Sequence, residues 1–119
     1  MTAIMQKAAH NENSHRLDAR GIAKLYAVSL VDIAKAIHAN PDTLRKNSDS
    51  VNIQDELATL LYCFDRLYEV LANDENAVRR WLHYPNRGLD GDRPIALLKR
   101  GRLDDLKSVV AQMDMSGHA

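Results

Sequence analysis

The strongest constraint on the fold is a stripe of apolar residues that recurs every three or four positions between Ile53 and Leu71. Its members are Ile53, Leu57, Leu60, Leu61, Phe64, Leu67, Tyr68 and Leu71. Charged residues such as Asp55, Glu56 and Arg66 fall outside the stripe, and this separation predicts a long amphipathic helix. Positions 53, 57, 60, 64, 67 and 71 also fit the heptad spacing of a coiled coil. The apolar stripe could therefore form either a dimer interface or part of the chain's own core. About three heptads do not demand a coiled coil, so we favour a core helix.

Three shorter helical segments precede the central helix. Apolar spacing places them at residues 17–28, 30–37 and 41–47. Ser29 and Asp32 form an S-x-x-D start signal, in which the hydroxyl accepts a backbone N–H and the carboxylate favours the positive end of the helix. Asn40 and Pro41 supply a side-chain cap and a proline at the first helical position. Two short helices joined by a tight turn have the form of a helix-turn-helix.

The second helix of such a motif lies in the major groove of DNA, where its early residues reach base edges and phosphates. We therefore expect a DNA-binding surface formed by Asn40, Asp42, Thr43, Arg45, Lys46 and Asn47. Arg45 or Lys46 suits guanine or phosphate, and Asn47 suits adenine. The stretch resembles Xre-type regulators, although His38 stands where their turn most often has glycine. A three-helix cluster that only packs is the alternative.

An irregular stretch follows residue 84. Helices are predicted around it at residues 75–84, 94–100 and 103–113. Pro85 ends the first of them, Asp90 and Gly91 supply turn chemistry, and Gly101 caps the second. The chain is therefore predicted to be all-α, with a helix-turn-helix-like N-terminal bundle joined by the long central helix to a small C-terminal helical domain. The predicted divisions are a flexible tail over 1–16, the helix-turn-helix region over 17–52, and the central helix with the C-terminal domain over 53–117.

From the tryptophan onward the residues follow a particular order: Trp, Pro-Asn, Leu, Gly, Pro with "IALL", Gly, and a short helix with a branched apolar face. They are Trp81, Pro85, Asn86, Leu89, Gly91, Pro94, Leu97, Leu98, Gly101 and Leu106. This order resembles the C-terminal toxin-binding domain of the MbcA/ParS/Xre antitoxin family, and with the Xre-like segment the resemblance covers about residues 17–117.

The resemblance implies an antitoxin of a type II toxin–antitoxin system. Its implied partner is a nearby-encoded toxin of the RES-domain type, which degrades NAD or ADP-ribosylates a target. Binding of the antitoxin occludes the toxin's active site in this family, and the antitoxin commonly also represses its own operon through operator DNA. The alternative function is a stand-alone helix-turn-helix transcriptional regulator.

The resemblance also implies a toxin-binding surface around the irregular stretch. We expect it to comprise Trp81, Tyr84, Asn86, Arg87, Leu89, Asp90, Arg93, Arg100, Arg102, Met113 and Met115. Arginine and tryptophan are common at interface hot spots, and Arg79 and Arg80 are further candidates for contact with carboxylates. For Trp81, Leu89 and the pair Leu97 and Leu98, we favour a place in the hydrophobic core over contact with a partner. We therefore interpret the stretch as a shaped loop that presents the exposed residues around it.

Composition limits the other function classes. Sixteen basic and sixteen acidic residues give a net charge of zero, with an acidic middle segment between two mildly basic ends. No apolar run approaches the roughly 20 residues of a membrane span, and the N-terminus lacks a signal-peptide core. We therefore expect a cytoplasmic protein with no membrane partner, either a homodimer or part of a hetero-oligomer with the toxin.

Catalytic and metal chemistry have no support in the sequence. Cys63 has no companion at metal-ligand spacing, the five histidines are scattered singly, and no Gly-rich phosphate loop is present. We therefore predict no enzymatic activity, no catalytic residue, no metal site and no cofactor, and we expect Cys63 to be a small buried thiol.

Overall fold

The computed structural model describes the backbone of residues 3–115 and the side chains of residues 5–113. Within these residues the protein is all-α, as predicted, with two short 3-10 helices at Val51–Ile53 and Arg87–Leu89. The α-helices are α1 (Ala3–Ala9), α2 (Ala19–Tyr26), α3 (Leu30–Ile37), α4 (Pro41–Lys46), α5 (Gln54–Val70), α6 (Glu75–His83), α7 (Ile95–Lys99) and α8 (Leu103–Met115). No helix in the described part of the chain is both long and apolar enough to span a membrane.

The predicted central helix is α5, and its apolar stripe is filled by the protein's own helices. Helices α2, α6 and α8 pack against α5. The buried residues of α5 are Leu57, Leu60, Leu61, Cys63, Phe64, Leu67 and Val70. Core packing is therefore confirmed as the purpose of the stripe. The alternative of a coiled-coil dimer seam is wrong, because the heptad positions 57, 60, 64 and 67 have no exposed surface left for a second chain.

Capping interactions between neighbouring residues determine where α3 and α4 begin and where α3 ends. Ser29 and Asp32 form the predicted capping box, with both hydrogen bonds at 3.1 Å. The Asn40 side chain accepts hydrogen bonds from the backbone N–H groups of Asp42 and Thr43, at 2.9 and 3.1 Å. His38 ends α3 in the left-handed conformation, with φ of 58°. The turn that was expected from the sequence is therefore made, although a histidine occupies the position that favours glycine.

The N-terminus differs from the flexible tail predicted over 1–16. Helix α1 packs on α2, and Met5 and Ala9 are fully buried. A Cβ atom at Gly21 would lie 1.9 Å from the carbonyl oxygen of Ala8, so the glycine is what lets the two helices approach so closely. The prediction failed because the ordering of α1 comes from this tertiary contact, whereas the isolated segment carries only a weak apolar pattern.

Residues from both halves of the chain share one hydrophobic core. Helix α3 packs on α7, and α2 packs on α5. Three polar contacts cross the same boundary. The Tyr26 hydroxyl donates to the carbonyl of Leu60 at 2.7 Å, Arg79 Nε donates to the carbonyl of Leu25 at 2.9 Å, and His83 Nε2 lies 2.9 Å from the carbonyl of Tyr26. The C-terminal elements are therefore held in a fixed position against the N-terminal helices.

Candidate functional site

The segment between α6 and α7 folds into a loop held by its own backbone. The N–H of Asn86 donates to the carbonyl of Asp92 at 2.9 Å, and the carbonyl of Asn86 accepts from the N–H groups of Leu89 and Gly91 at 3.0 Å each. The Asn86 side chain accepts from the N–H of Gly88 at 2.8 Å. Gly91, with φ of 81°, reverses the chain in a conformation that favours glycine. The loop therefore has a defined shape.

A groove with a volume of about 340 Å³ lies between this loop and α8. It is lined by Trp81, Asn86, Gly88, Leu89, Val109, Gln112 and Met113, and we refer to it as the Trp81 groove. Trp81, Leu89, Val109 and Met113 are half-buried and pack on the hydrophobic core. Asn86 and Gln112 add hydrogen-bonding groups to apolar walls, a combination typical of binding sites.

A second groove of about 390 Å³ continues on the same surface. It shares Gly88, Leu89 and Val109 with the Trp81 groove. Its other lining residues are Asp90, Asp92, Arg93, Leu97, Arg100, Arg102, Asp105 and Ser108, and we refer to it as the arginine groove. The shared residues make the two grooves one continuous candidate surface with an apolar end and a charged end.

Ion pairs fix two of the three arginines of the arginine groove. Arg100 donates to Asp92 at 2.7 Å, and Arg102 donates to Asp105 at 2.6 Å. The hydrogen bond from Arg100, helped by the backbone N–H of Arg93, lowers the pKa of the Asp92 carboxyl below its usual 3.8. The Arg93 side chain forms no ion pair with another described residue. Its charge is therefore available to an external carboxylate.

The structure distributes the sequence-predicted toxin-binding residues unevenly. It brings Trp81, Asn86, Leu89 and Met113 together in the Trp81 groove, and Asp90, Arg93, Arg100 and Arg102 around the arginine groove. Tyr84, which is 63% exposed, and the exposed Arg87 line neither groove. The side chain of Met115 lies outside the described residues.

Arg79 has a role within the fold that the sequence did not indicate. Besides its bond to the carbonyl of Leu25, its guanidinium pairs with Glu75 at 3.0 Å and lies 5.9 Å from the centre of the Phe64 ring. These contacts hold α6 against α2 and α5. Arg79 is therefore not a candidate for contact with a partner, in contrast to the exposed Arg80.

Several groove residues were not predicted from the sequence. They are Gly88, Asp92, Asp105, Ser108 and Gln112. Positions 105, 108, 109 and 112 recur at helical spacing, so they share one face of α8. That periodicity was available in the sequence, but only the position of the loop shows that this face borders a groove.

The predicted DNA-binding residues are largely exposed on α4. Asp42, Thr43, Arg45, Lys46 and Asn47 face outward, whereas Leu44 is buried. The side-chain oxygen of Asn40 is engaged in capping the helix. Arg45 pairs with Asp42, which offsets part of its charge. Arg20 donates to the carbonyl of Arg45 at 2.9 Å and adds a cation that the sequence analysis did not place there.

Two features of the described residues bear on metal binding and thiol chemistry. Among them, no group of three or more His, Cys, Asp or Glu side chains is placed to hold a metal ion. Cys63 is fully buried, as predicted, and burial raises its pKa to about 11, so it is a protonated thiol at neutral pH.

Comparisons with known proteins relate this chain to antitoxins, and the family match falls on the part of the chain that carries the grooves. Residues 66–114 match the family described as the antitoxin Xre/MbcA/ParS C-terminal toxin-binding domain. The chain is 34% identical over 91 residues to the probable mycobacterial cidal antitoxin Rv3188 of Mycobacterium tuberculosis, an alignment that spans 71% of this chain and 75% of that protein. A chain in the crystal structure of the M. tuberculosis MbcT-MbcA toxin-antitoxin complex has the same fold, with a TM-score of 0.55 and 17% identity over the whole of both chains.

Proposed function

The chain belongs to the Xre/MbcA/ParS antitoxin family, and from this premise we propose that it neutralises a RES-domain toxin by binding it through the Trp81 and arginine grooves. The bound antitoxin covers the toxin's active site, where NAD is degraded or used for ADP-ribosylation, and thereby excludes the substrate. This mechanism is steric. It requires affinity and shape from the antitoxin, and no catalytic group.

The observation that carries the proposal is the composition and place of the Trp81 groove. All seven lining residues lie between Trp81 and Met113, inside the matched range 66–114. Half-buried Trp81, Leu89 and Met113 offer apolar walls that are already fixed by the core, so little side-chain entropy is lost when a partner binds. Anchors of this kind in a desolvated pocket carry most of the free energy of a protein interface.

The arginine groove, together with the exposed Arg87 in the loop beside it, supplies the polar rim of the same interface. Arg93 and the exposed Arg87 have no ion pair among the described residues, so they can meet carboxylates on the toxin. Charges at a rim mainly raise the association rate and its sensitivity to salt, whereas buried anchors slow dissociation. We therefore expect changes at Arg87 or Arg93 to reduce the association rate more than they raise the dissociation rate.

The test is co-expression of this chain with the adjacent reading frame, scoring growth, cellular NAD and co-purification of a complex. In the Gln112→Trp variant a bulky ring at the groove mouth should abolish rescue. The matched control is Ala111→Trp, at an exposed neighbouring position on α8 that does not line the groove, and it should still rescue. If the product of the adjacent reading frame does not inhibit growth and forms no complex with this chain, the toxin assignment is overturned. If the Gln112→Trp and Ala111→Trp variants restore growth equally well, the groove assignment is overturned.

We propose a second role, repression of the antitoxin's own operon through α3 and α4. It is supported by the left-handed turn at His38, the capped start of α4 and the outward direction of Arg45 and Lys46. Replacing both basic residues with alanine should abolish promoter binding at physiological salt. At lower salt, the slope of the logarithm of the binding constant against the logarithm of the salt concentration should become shallower by about two. Lys7→Ala, an exposed lysine on α1, is the control. Promoter binding that both variants retain unchanged would contradict this role.

If the neighbouring reading frame proves harmless while the promoter is bound, the alternative of a stand-alone transcriptional regulator takes precedence. The two experiments therefore separate the two functions.

A further inference from the structure

The start of α2 is joined to the end of α4 by two hydrogen bonds. The backbone N–H of Ala19 donates to the carbonyl of Ser48 at 2.8 Å. The Arg20 side chain donates through Nη2 to the carbonyl of Arg45 at 2.9 Å. The Arg45 carbonyl lies in the last turn of α4, where carbonyl groups have no partner within the helix. We refer to the residues joined by these bonds as the α2–α4 corner.

Further hydrogen bonds fix the segments on either side of the corner. The Gln54 side chain accepts from the N–H of Leu17 at 2.9 Å and donates to the carbonyls of Leu17 and Ser50, at 2.9 and 3.0 Å. Arg16 Nε donates to the carbonyl of Asp49 at 2.8 Å. The chain that leads into α2 is therefore bound to the chain that leaves α4, and the position of α2 relative to α4 is fixed.

Arg20 is held at the corner without being neutralised. A guanidinium carries five N–H groups, and the bond to Arg45 uses one of them. The side chain is exposed, and it forms no ion pair and no second hydrogen bond within the described part of the chain. The carboxylate of Asp18 accepts instead from the backbone N–H of Arg20 at 2.9 Å and from the Asn11 amide at 3.1 Å. The remaining guanidinium N–H groups are therefore available to an external acceptor.

Neighbouring basic residues differ in how far they are already paired. Arg16 pairs with Asp49 at 3.5 Å, and Arg45 forms an ion pair within α4. Lys46, the last residue of α4, is exposed and forms no ion pair with another described residue. Arg20 and Lys46 therefore place two cations beside the end of α4 that can meet an external anion.

The place of Arg20 at the end of α4 determines which anion it meets when α4 lies in the major groove. In a helix-turn-helix the first residues of the recognition helix reach the base edges. The last turn lies farther from the bases and nearer the sugar–phosphate backbone that borders the groove, and a guanidinium matches the oxygens of a phosphate. We propose that Arg20 binds a backbone phosphate of the operator, so that α2 contributes to DNA binding as well as α4.

This inference rests on the proposed repressor role and adds to it a residue outside the two helices of the motif. A phosphate contact fixes the position of the protein on the duplex and carries no sequence information. The contact of Arg20 should therefore strengthen binding to every duplex equally, and it should do so in a way that depends on salt.

The experiment measures binding of the full chain, without toxin, to two duplexes by fluorescence anisotropy. One duplex is the promoter fragment of its own operon, and the other is a scrambled sequence of the same length. Arg20→Gln keeps a side-chain N–H donor and removes the charge. It should weaken binding to both duplexes by the same factor, roughly tenfold, because one charge-assisted contact is lost. The slope of the logarithm of the binding constant against the logarithm of the salt concentration should become shallower by about one.

Two further variants serve as controls, with far-UV circular dichroism to check folding. Lys107→Ala, at an exposed lysine on α8, removes the same charge away from the corner and should change neither the affinity nor the slope. Arg20→Lys keeps the charge and should restore the salt slope of the wild type. If Lys107→Ala weakens binding as much as Arg20→Gln does, the effect reflects net charge and the proposal is overturned.

A role confined to supporting α4 through the bond to Arg45 would give a different result. Arg20→Gln would then weaken binding to the promoter more than to the scrambled duplex, and the salt slope would not change. That result, or a wild-type affinity that Arg20→Gln leaves unchanged, overturns this proposal alone. A wild-type chain that binds neither duplex overturns the proposed repressor role together with it.

Discussion

Burial determines the chemistry of Cys63. The thiol lies inside the core on α5, and desolvation raises its pKa to about 11. Because the thiolate is the reactive form, we expect a disulfide reagent such as DTNB to leave the native protein unmodified at pH 8 and to react fully in denaturant. The measurement is the rate of absorbance change at increasing urea concentration. Rapid reaction of the folded protein would mean that α5 opens locally at this residue.

The same pKa shift predicts how stability depends on pH. The ordinary pKa of the thiol is 9.0 and the folded value is about 11, so between these values the unfolded chain loses its proton while the folded chain keeps it. The free energy of unfolding must therefore fall as pH rises from 9 to 11, by on the order of 2 kcal/mol from this group. The fully buried Tyr26 hydroxyl, whose pKa burial also raises, should steepen the fall above pH 10.

Urea titrations at pH 7, 9 and 10.5 measure this effect, with Cys63→Ala as the comparison. The alanine variant lacks the thiol, so its stability should decline less over this range, even if its stability at pH 7 is lower. An equal decline in both proteins would show that other groups control the alkaline transition.

The contact between α1 and α2 depends on one glycine. In Gly21→Ala the new methyl group would overlap the carbonyl oxygen of Ala8, and backbone cannot move aside as a flexible side chain does. We expect α1 to detach, which exposes Met5 and costs about 2 kcal/mol of stability. Hydrogen exchange should show lost protection over residues 5–9 while α5 stays protected. Gly88→Ala is the control, since its methyl group would meet only the Asn86 side chain, at 3.2 Å.

Helices with local start and stop signals were predicted well from the sequence. Helix α3 has the predicted bounds, because Ser29 and Asp32 cap its start and the chain turns at His38. Helices α4 and α6 end within one residue of their predicted bounds. Capping is a property of neighbouring residues, so the sequence contains it directly.

Features that depend on distant residues were not predictable in the same way. The order of α1 comes from its packing against Gly21, which no local pattern indicates. The Trp81 groove depends on how Asn86 and Leu89 sit against α8, and the distance between these segments is set only in the folded chain. The resemblance pointed to the loop that borders this groove, but Gln112 required the structure.

The shared core predicts that the whole molecule unfolds as one unit. Tyr26, Phe64 and Leu82 lie in one hydrophobic cluster, and Tyr26 meets Phe64 edge to face at 5.4 Å between ring centres. A helix-turn-helix region that folded independently over 17–52 would have to leave Ile33, Ala34 and Tyr26 without their partners on α5 and α7. The predicted divisions of the chain therefore need not mark separate folding units.

Trp81 makes this prediction measurable, because the protein has a single tryptophan and it lies in the C-terminal half. Fluorescence of Trp81 and amide NMR signals of α2 and α3 should give one common urea midpoint, since loss of either half removes the apolar surface that buries the other. A peptide of residues 1–52 should accordingly be largely unfolded in isolation. Separate midpoints together with a folded 1–52 peptide would show two independent domains, and the groove residues would then be positioned without help from α2 and α3.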